Sequence, residues 1–249
     1  MGISSRALLR NLTTNTFRRI RHRASTLRPG SSAGTAGSSG SAGHSRHQPG
    51  ASGGQEPAAA TIDWELWAWD MADALGKAMD DWKSLALLKP ITVNNGIGMI
   101  NPGDITGPAL TSLAPPYLDH DGDADLTAIR SAITDEVSDA WKSWHDSLHG
   151  PLTFPTLLGG GDHQPTTAHC QPTMLSALAS SGAVYFGSGR LKAFLGVRLV
   201  NRDLPEVDQL IDAMALALET TFKTFKASTV ITDVQATGGV ATGAPGFLR

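Results

Sequence analysis

Residues 119–150 read DHDGDADLTAIRSAITDEVSDAWKSWHDSLHG, and this stretch decides the expected fold class. Leu126, Ile129, Ile133, Val137, Ala140, Trp141, Trp144 and Leu148 recur every three or four positions, so a helix gathers them on one face. Arg130, Thr134, Asp135, Glu136, Asp139, Lys142 and Ser143 fall on the other, the pattern of a helix lying on a larger domain. Gly150-Pro151 stops it.

Both ends of the stretch carry candidate chemistry. Asp119, Asp121, Asp123 and Asp125 place carboxylates at alternate positions with Leu126 next, as at the start of a calcium loop, because a hard cation wants several carboxylate oxygens within one turn. Ala124 stands where such a loop bends at Gly, and Arg130 where it uses a bidentate Glu; the alternative is that these acids cap the helix and meet its positive end. At the far end His145 and His149 have the i, i+4 spacing of zinc ligands on a helix, with Asp146 as the candidate base of a metal-dependent hydrolase. Asp162-His163 and His169-Cys170 supply further ligands if the chain folds back. Histidines in a last turn are also favoured by the helix dipole with no metal present.

Outward from this stretch, two more segments have helical periodicity. Trp64, Trp67, Met71, Ala74, Leu75, Ala78, Met79, Trp82 and Leu85 predict a helix of about six turns ending before Pro90. Trp69 falls off its stripe, which marks either a contact site or a wide buried face. Asp203-Leu204-Pro205-Glu206 predicts a cap for a third helix with Val207, Leu210, Ile211, Met214, Leu218, Phe222 and Phe225 on one face. A short helix is expected over 173–181, and short strands at 91–93 and 229–234. Residues 94–108 and 151–172 are rich in Gly and Pro and are expected to be successive turns and loop, and 238–246 a looping end. Gly96-x-Gly98 lacks the third glycine and following helix of a dinucleotide fingerprint.

Charge divides the chain. Residues 1–60 hold eight arginines, no lysine and one acid, Glu56, for a formal +7, whereas 61–249 carry 12 basic and 22 acidic side chains, a net of −10. An acidic folded part argues against nucleic acid as its main partner. Residues 1–28 are rich in Arg and Ser, with Leu8, Leu9, Leu12, Phe17 and Ile20 able to share one side of a helix. That is the composition of an organellar transit peptide bound for the matrix; the alternative is a disordered basic tail that meets an anionic surface or an import receptor. Residues 29–60, Gly, Ser, Ala and Pro with scattered His, read as a disordered linker. Cys170 is the single cysteine, which excludes an internal disulfide. No run of eighteen apolar residues predicts a membrane span, and no Gly-x-Ser-x-Gly elbow or complete catalytic constellation is present.

The expected fold is therefore mainly α: three long amphipathic helices plus a short one, long Gly/Pro loops, a minor β element and a disordered N-terminal tail. The expected organisation is a basic leader at 1–28, a linker at 29–60 and a single helical domain at 61–249. The early helix ending in Trp82, the Pro102-Gly103-Asp104-Ile105-Thr106-Gly107-Pro108 loop, Trp141 and Trp144 before Pro151 and Pro155, and the run Phe222 to Gly243 resemble small uncharacterised proteins encoded with phages and phage-tail-like injection particles. The resemblance covers most of 61–249, implies no catalytic residues, and does not extend to the arginine-rich leader. With no complete catalytic constellation present, the chain is read as a non-enzymatic structural or assembly component without a cofactor, oligomeric, whose tryptophan-rich helix and apolar loops meet protein subunits; the resemblance points to a virion or cytoplasmic particle as the assembly. The alternatives are the metal-dependent hydrolase at His145 and His149 with zinc, and a calcium-binding interaction module at Asp119 to Asp125.

Overall fold

The computed structural model describes residues 4–26, 63–114, 124–157, 167–199 and 206–249. Its helices are α1 (Ser5–Thr26), α2 (Trp64–Leu85), α3 (Leu110–Leu113), α4 (Ala124–Asp146), α5 (Ser188–Arg198) and α6 (Val207–Ser228). The strands are β1 (Leu87–Asn94), β2 (Ile97–Ile100), β3 (Ile105–Thr106), β4 (Gly150–Thr153), β5 (Thr167–His169), β6 (Thr173–Met174), β7 (Val230–Ile231), β8 (Val234–Thr237) and β9 (Val240–Gly243). The expectation of a mainly α protein with a minor β element and a disordered N-terminal tail is corrected on two counts. A seven-stranded antiparallel sheet, curled into a half-barrel, makes the fold an α/β mixture, and residues 5–26 are a helix packed into the core.

The sheet runs β4-β2-β1-β9-β8-β5, with β3 also on β1. Two tight hairpins build it. Asn95 and Gly96, with φ of 49° and 73°, join β1 to β2, and Gly238 and Gly239, with φ of 56° and 83°, join β8 to β9. Both central residues of each turn are left-handed, the geometry that matches strand twist in a two-residue loop. The β1–β9 register shifts between Leu88 and Ile91, where Pro90 has no N–H to give the ladder. The curl brings the sheet's ends together: Gln171, just past β5, donates its N–H to the Thr153 carbonyl of β4 at 2.7 Å.

Alternation fills the inside of the curl with Leu88, Ile91, Val93, Ile100, Leu152, Ala236 and Ala241. Two aromatics complete it, each seated on a glycine. A Cβ on Gly98 would meet Phe154 Cε2 at 3.2 Å, and one on Gly243 would meet Phe247 Cγ at 2.9 Å. Among the described residues, these side chains pack the half-barrel interior.

The helices meet at an aromatic hub. Trp82 of α2, Trp141 and Trp144 of α4, Phe186 of a 3-10 turn, and Phe222 and Phe225 of α6 lie with ring centroids 4.0–6.3 Å apart, mostly edge to face. Edge-to-face pairs set the positive ring edge against a neighbour's negative face, adding about 0.5–1.5 kcal/mol per pair to burial. Gly182 lets the segment before Phe186 reach α4, since a Cβ there would sit 2.0 Å from the Ser143 carbonyl oxygen. α5 then starts with its Ser188 N–H donated to Glu219 Oε2 of α6 at 2.8 Å. Hydrogen bonds from Lys223 first, then from the Ser188 hydroxyl and N–H, hold the pKa of the Glu219 carboxyl down to about 2.

Candidate functional site

The first candidate is a cleft of about 580 Å³ between α4, the segment from β3 to α3, and the end of α5. Asp135, Asp139, Lys142 and Asp146 line it from α4, and Arg198 closes it from α5. Its cations are tied to carboxylates. Arg198 reaches Glu136 Oε2 from Nε at 2.9 Å and Asp139 Oδ2 from Nη2 at 2.6 Å, and Lys142 pairs with Asp146 one turn on. Gly107 covers the floor: a Cβ there would lie 2.3 Å from Trp82 Nε1.

His145 is buried at this floor. Its ring tilts over Trp82 with centroids 5.4 Å apart, and its Nδ1 lies 3.0 Å from Asp146 Oδ1 without the alignment of a hydrogen bond. Burial pushes its pKa below the ordinary 6.5, outweighing the nearby Asp146 charge. The sign follows from this shift: the unfolded chain takes up the proton first, so this contribution is complete above about pH 6.5 and weakens as pH falls below it. Stability is therefore expected to drop as pH falls from about 7 to about 5. His145→Gln should flatten that limb in denaturant titrations at each pH.

His149 is not on the same helical face. α4 ends at Asp146, and His149 lies in a bridge to Ala179, exposed, with its Nδ1 2.9 Å from the Ser147 carbonyl. The structure thus separates the two imidazoles that sequence spacing had paired. Asp125 stands exposed in the first turn of α4, while Asp119, Asp121, Asp123, Asp162 and His163 lie outside the described residues. His169 is exposed on β5. Cys170 is buried, its thiol facing the Thr232 carbonyl at 3.5 Å, and burial raises its pKa, the setting of an inert thiol. Among the described residues no cluster of three or more His, Cys, Asp or Glu side chains is placed to hold a metal ion. Ser138, the hydroxyl lining the cleft on α4, is two turns from His145, about 10 Å by helix rise, too far for a nucleophile and its base.

No family model, curated protein or solved structure matches the chain. Function has to be read from its own geometry.

The second candidate is the seat of α1, which sequence reasoning missed. Glu65, Trp69, Asp73, Gly76 and Asp80 follow one another at helical spacing along α2. This is the polar side of α2, and it receives α1. Arg6 forks onto Asp73 with Nε–Oδ1 and Nη2–Oδ2 both at 2.7 Å. Arg10 lies over the Trp69 ring at 4.7 Å and 3.6 Å from Asp73, Arg18 pairs with Glu65, and Arg21 reaches Glu206 beside α6 at 3.4 Å. Trp69, off the apolar stripe, is thus a partner for a cation.

Beneath these charges α1 buries Leu9, Thr13 and Phe17, spaced by four residues, each fully inaccessible. Gly76 allows the approach, because a Cβ there would stand 2.5 Å from the Arg6 Cα. Asp80 caps the incoming helix from the outside, accepting from the Ser5 and Arg6 backbone N–H groups at 3.2 and 3.3 Å and from the Ser4 hydroxyl. Asp80→Ala leaves those donors without their acceptor and is expected to cost about 0.5–2 kcal/mol in denaturant unfolding, with Asp80→Asn recovering most of it. The signal lay in the sequence as charge: an acid-free arginine helix and an acidic remainder complement one another.

Proposed function

We propose that the chain is a non-enzymatic structural or assembly component, of the kind implied by its resemblance to proteins encoded with phage and phage-tail-like particles. One observation carries the reading: the most elaborate polar construction in the described residues is a socket that holds a protein helix. The seat joins a bidentate guanidinium pair, a cation over an indole, an external carboxylate cap and a glycine contact, all spent on α1. In the cleft, by contrast, the cations are tied to carboxylates, and His145 is held low by burial.

The outer surface supports the same reading. The sheet exposes Leu87, Ile97, Met99 and Val240, each at least 43% accessible, a concentration of large apolar side chains that suits contact with a neighbouring subunit. No helix of the described residues is long and apolar enough to cross a membrane. Light scattering across two decades of concentration tests the proposal. A defined oligomer is expected, and a strict monomer at the highest concentration would sink it.

A further inference from the structure

Resting on that reading, we propose that the α1 seat is also the joint between copies: α1 of one chain docks on the α2–α6 seat of another.

The seat and its occupant are one chain only by way of a long connection. Thirty-six residues, 27–62, lie between Thr26 and Asp63. Fully extended, that length spans about 120 Å, several times the radius of gyration of about 18 Å expected for a chain of this size. The reach of α1 therefore includes the seat of an adjoining copy.

Exchange conserves the energetics of the seat. α1 is held by α2 and α6, so a second copy's α1 would recover the same Arg6–Asp73 fork, the Asp80 cap and the burial of Leu9 and Phe17. What changes is the closure entropy of the connection, which varies slowly with length.

Charge supplies the pairing rule. α1 carries six arginines, Arg6, Arg10, Arg18, Arg19, Arg21 and Arg23, and no acid, so two α1 helices repel, while the seat offers Glu65, Asp73, Asp80 and Glu206. Only the helix-to-seat combination is attractive, and it is the same whether helix and seat belong to one chain or to two copies. Reciprocal exchange gives a two-fold dimer, and one-way exchange gives a head-to-tail chain that closes into a ring or grows.

The test uses two full-length chains in a Cys170→Ser background, one with Arg18→Cys and the other with Glu65→Cys, the two sites that meet in the seat. Each has one thiol, so a short bis-maleimide can link α1 to α2 only between copies. A covalent heterodimer is expected as the main cross-linked product, increasing with concentration and lost when Gly76→Leu is added to the Glu65→Cys chain. No heterodimer above that formed when Ser112→Cys replaces Glu65→Cys overturns the exchange. Light scattering of the unsubstituted protein separates the two claims. An oligomer without the heterodimer removes the exchange and leaves the assembly reading, while a strict monomer removes both.

Discussion

Trp141→Ala is expected to lower the free energy of unfolding by about 3–5 kcal/mol, the range for truncating a buried large aromatic. The upper end is expected because of where the ring sits. Trp141 is 1% accessible and touches Trp82 of α2, Trp144 of its own helix, Phe186, and Phe222 and Phe225 of α6. Its neighbours are themselves rigid rings from separate elements, so they cannot relax into the space and the cavity stays open. Trp141→Phe keeps much of the volume and should cost markedly less. Chemical denaturation with intrinsic fluorescence measures both, and a loss below about 1 kcal/mol for the alanine variant would show that α2, α4 and α6 do not converge on this ring.

Gly76→Leu is expected to unseat α1, and the sign of its effect is the informative part. In an exposed helix interior, replacing Gly by Leu stabilises, because Gly is about 0.8–1 kcal/mol poorer than Ala and Leu is close to Ala. Here the added Cβ would meet backbone: Arg6 Cα at 2.5 Å, Arg6 N at 2.9 Å and the Ser5 carbonyl oxygen at 3.0 Å. Backbone cannot rotate aside, so α1 must lift, and the burial of Leu9 and Phe17 goes with it. Each of those side chains contributes about 1.5–3 kcal/mol when buried, which exceeds the propensity gain. The expected result is net destabilisation, with residues 5–26 becoming cleavable by trypsin at their arginines while α2, α4 and α6 resist. A stabilised, protease-resistant variant would contradict the seat.

Sequence reading and structure part company at identifiable residues. The three long helices were legible because each buries one stripe over five or six turns: they stand at Trp64–Leu85, Ala124–Asp146 and Val207–Ser228. The sheet was not, because several of its strands are four residues or fewer and carry glycine where the curl is tight. Residues 94–108 have a turn-rich composition, yet Asn95-Gly96 is the strongest short hairpin signal, and alternation runs through Ile91, Val93, Gly98 and Ile100 on one side. The same applies at Gly238-Gly239, expected to be a looping end and found as a β-hairpin turn.

α5 carries little signal of its own, because glycines flank Ser188 at its start and its cap, Glu219, comes from another helix. In the N-terminal segment the apolar side of a helix was visible at Leu8, Leu9, Leu12, Phe17 and Ile20, but its docking was not: its cap, Asp80, is contributed by α2, and an arginine-rich segment reads as solvated until an acidic partner is known. For the candidate sites, i, i+4 spacing at His145 and His149 assumed a helix that in fact ends between them, at Asp146.

Amide hydrogen exchange of the full-length protein tests the central claim most directly, because it reports whether α1 belongs to the folded body. Backbone amides from Leu9 to Ile20 should be protected to nearly the same degree as those of α2, and Gly76→Leu should abolish that protection in α1 while leaving α4 protected. Exchange of the α1 amides at the rate of an unfolded chain in the unsubstituted protein would contradict the account.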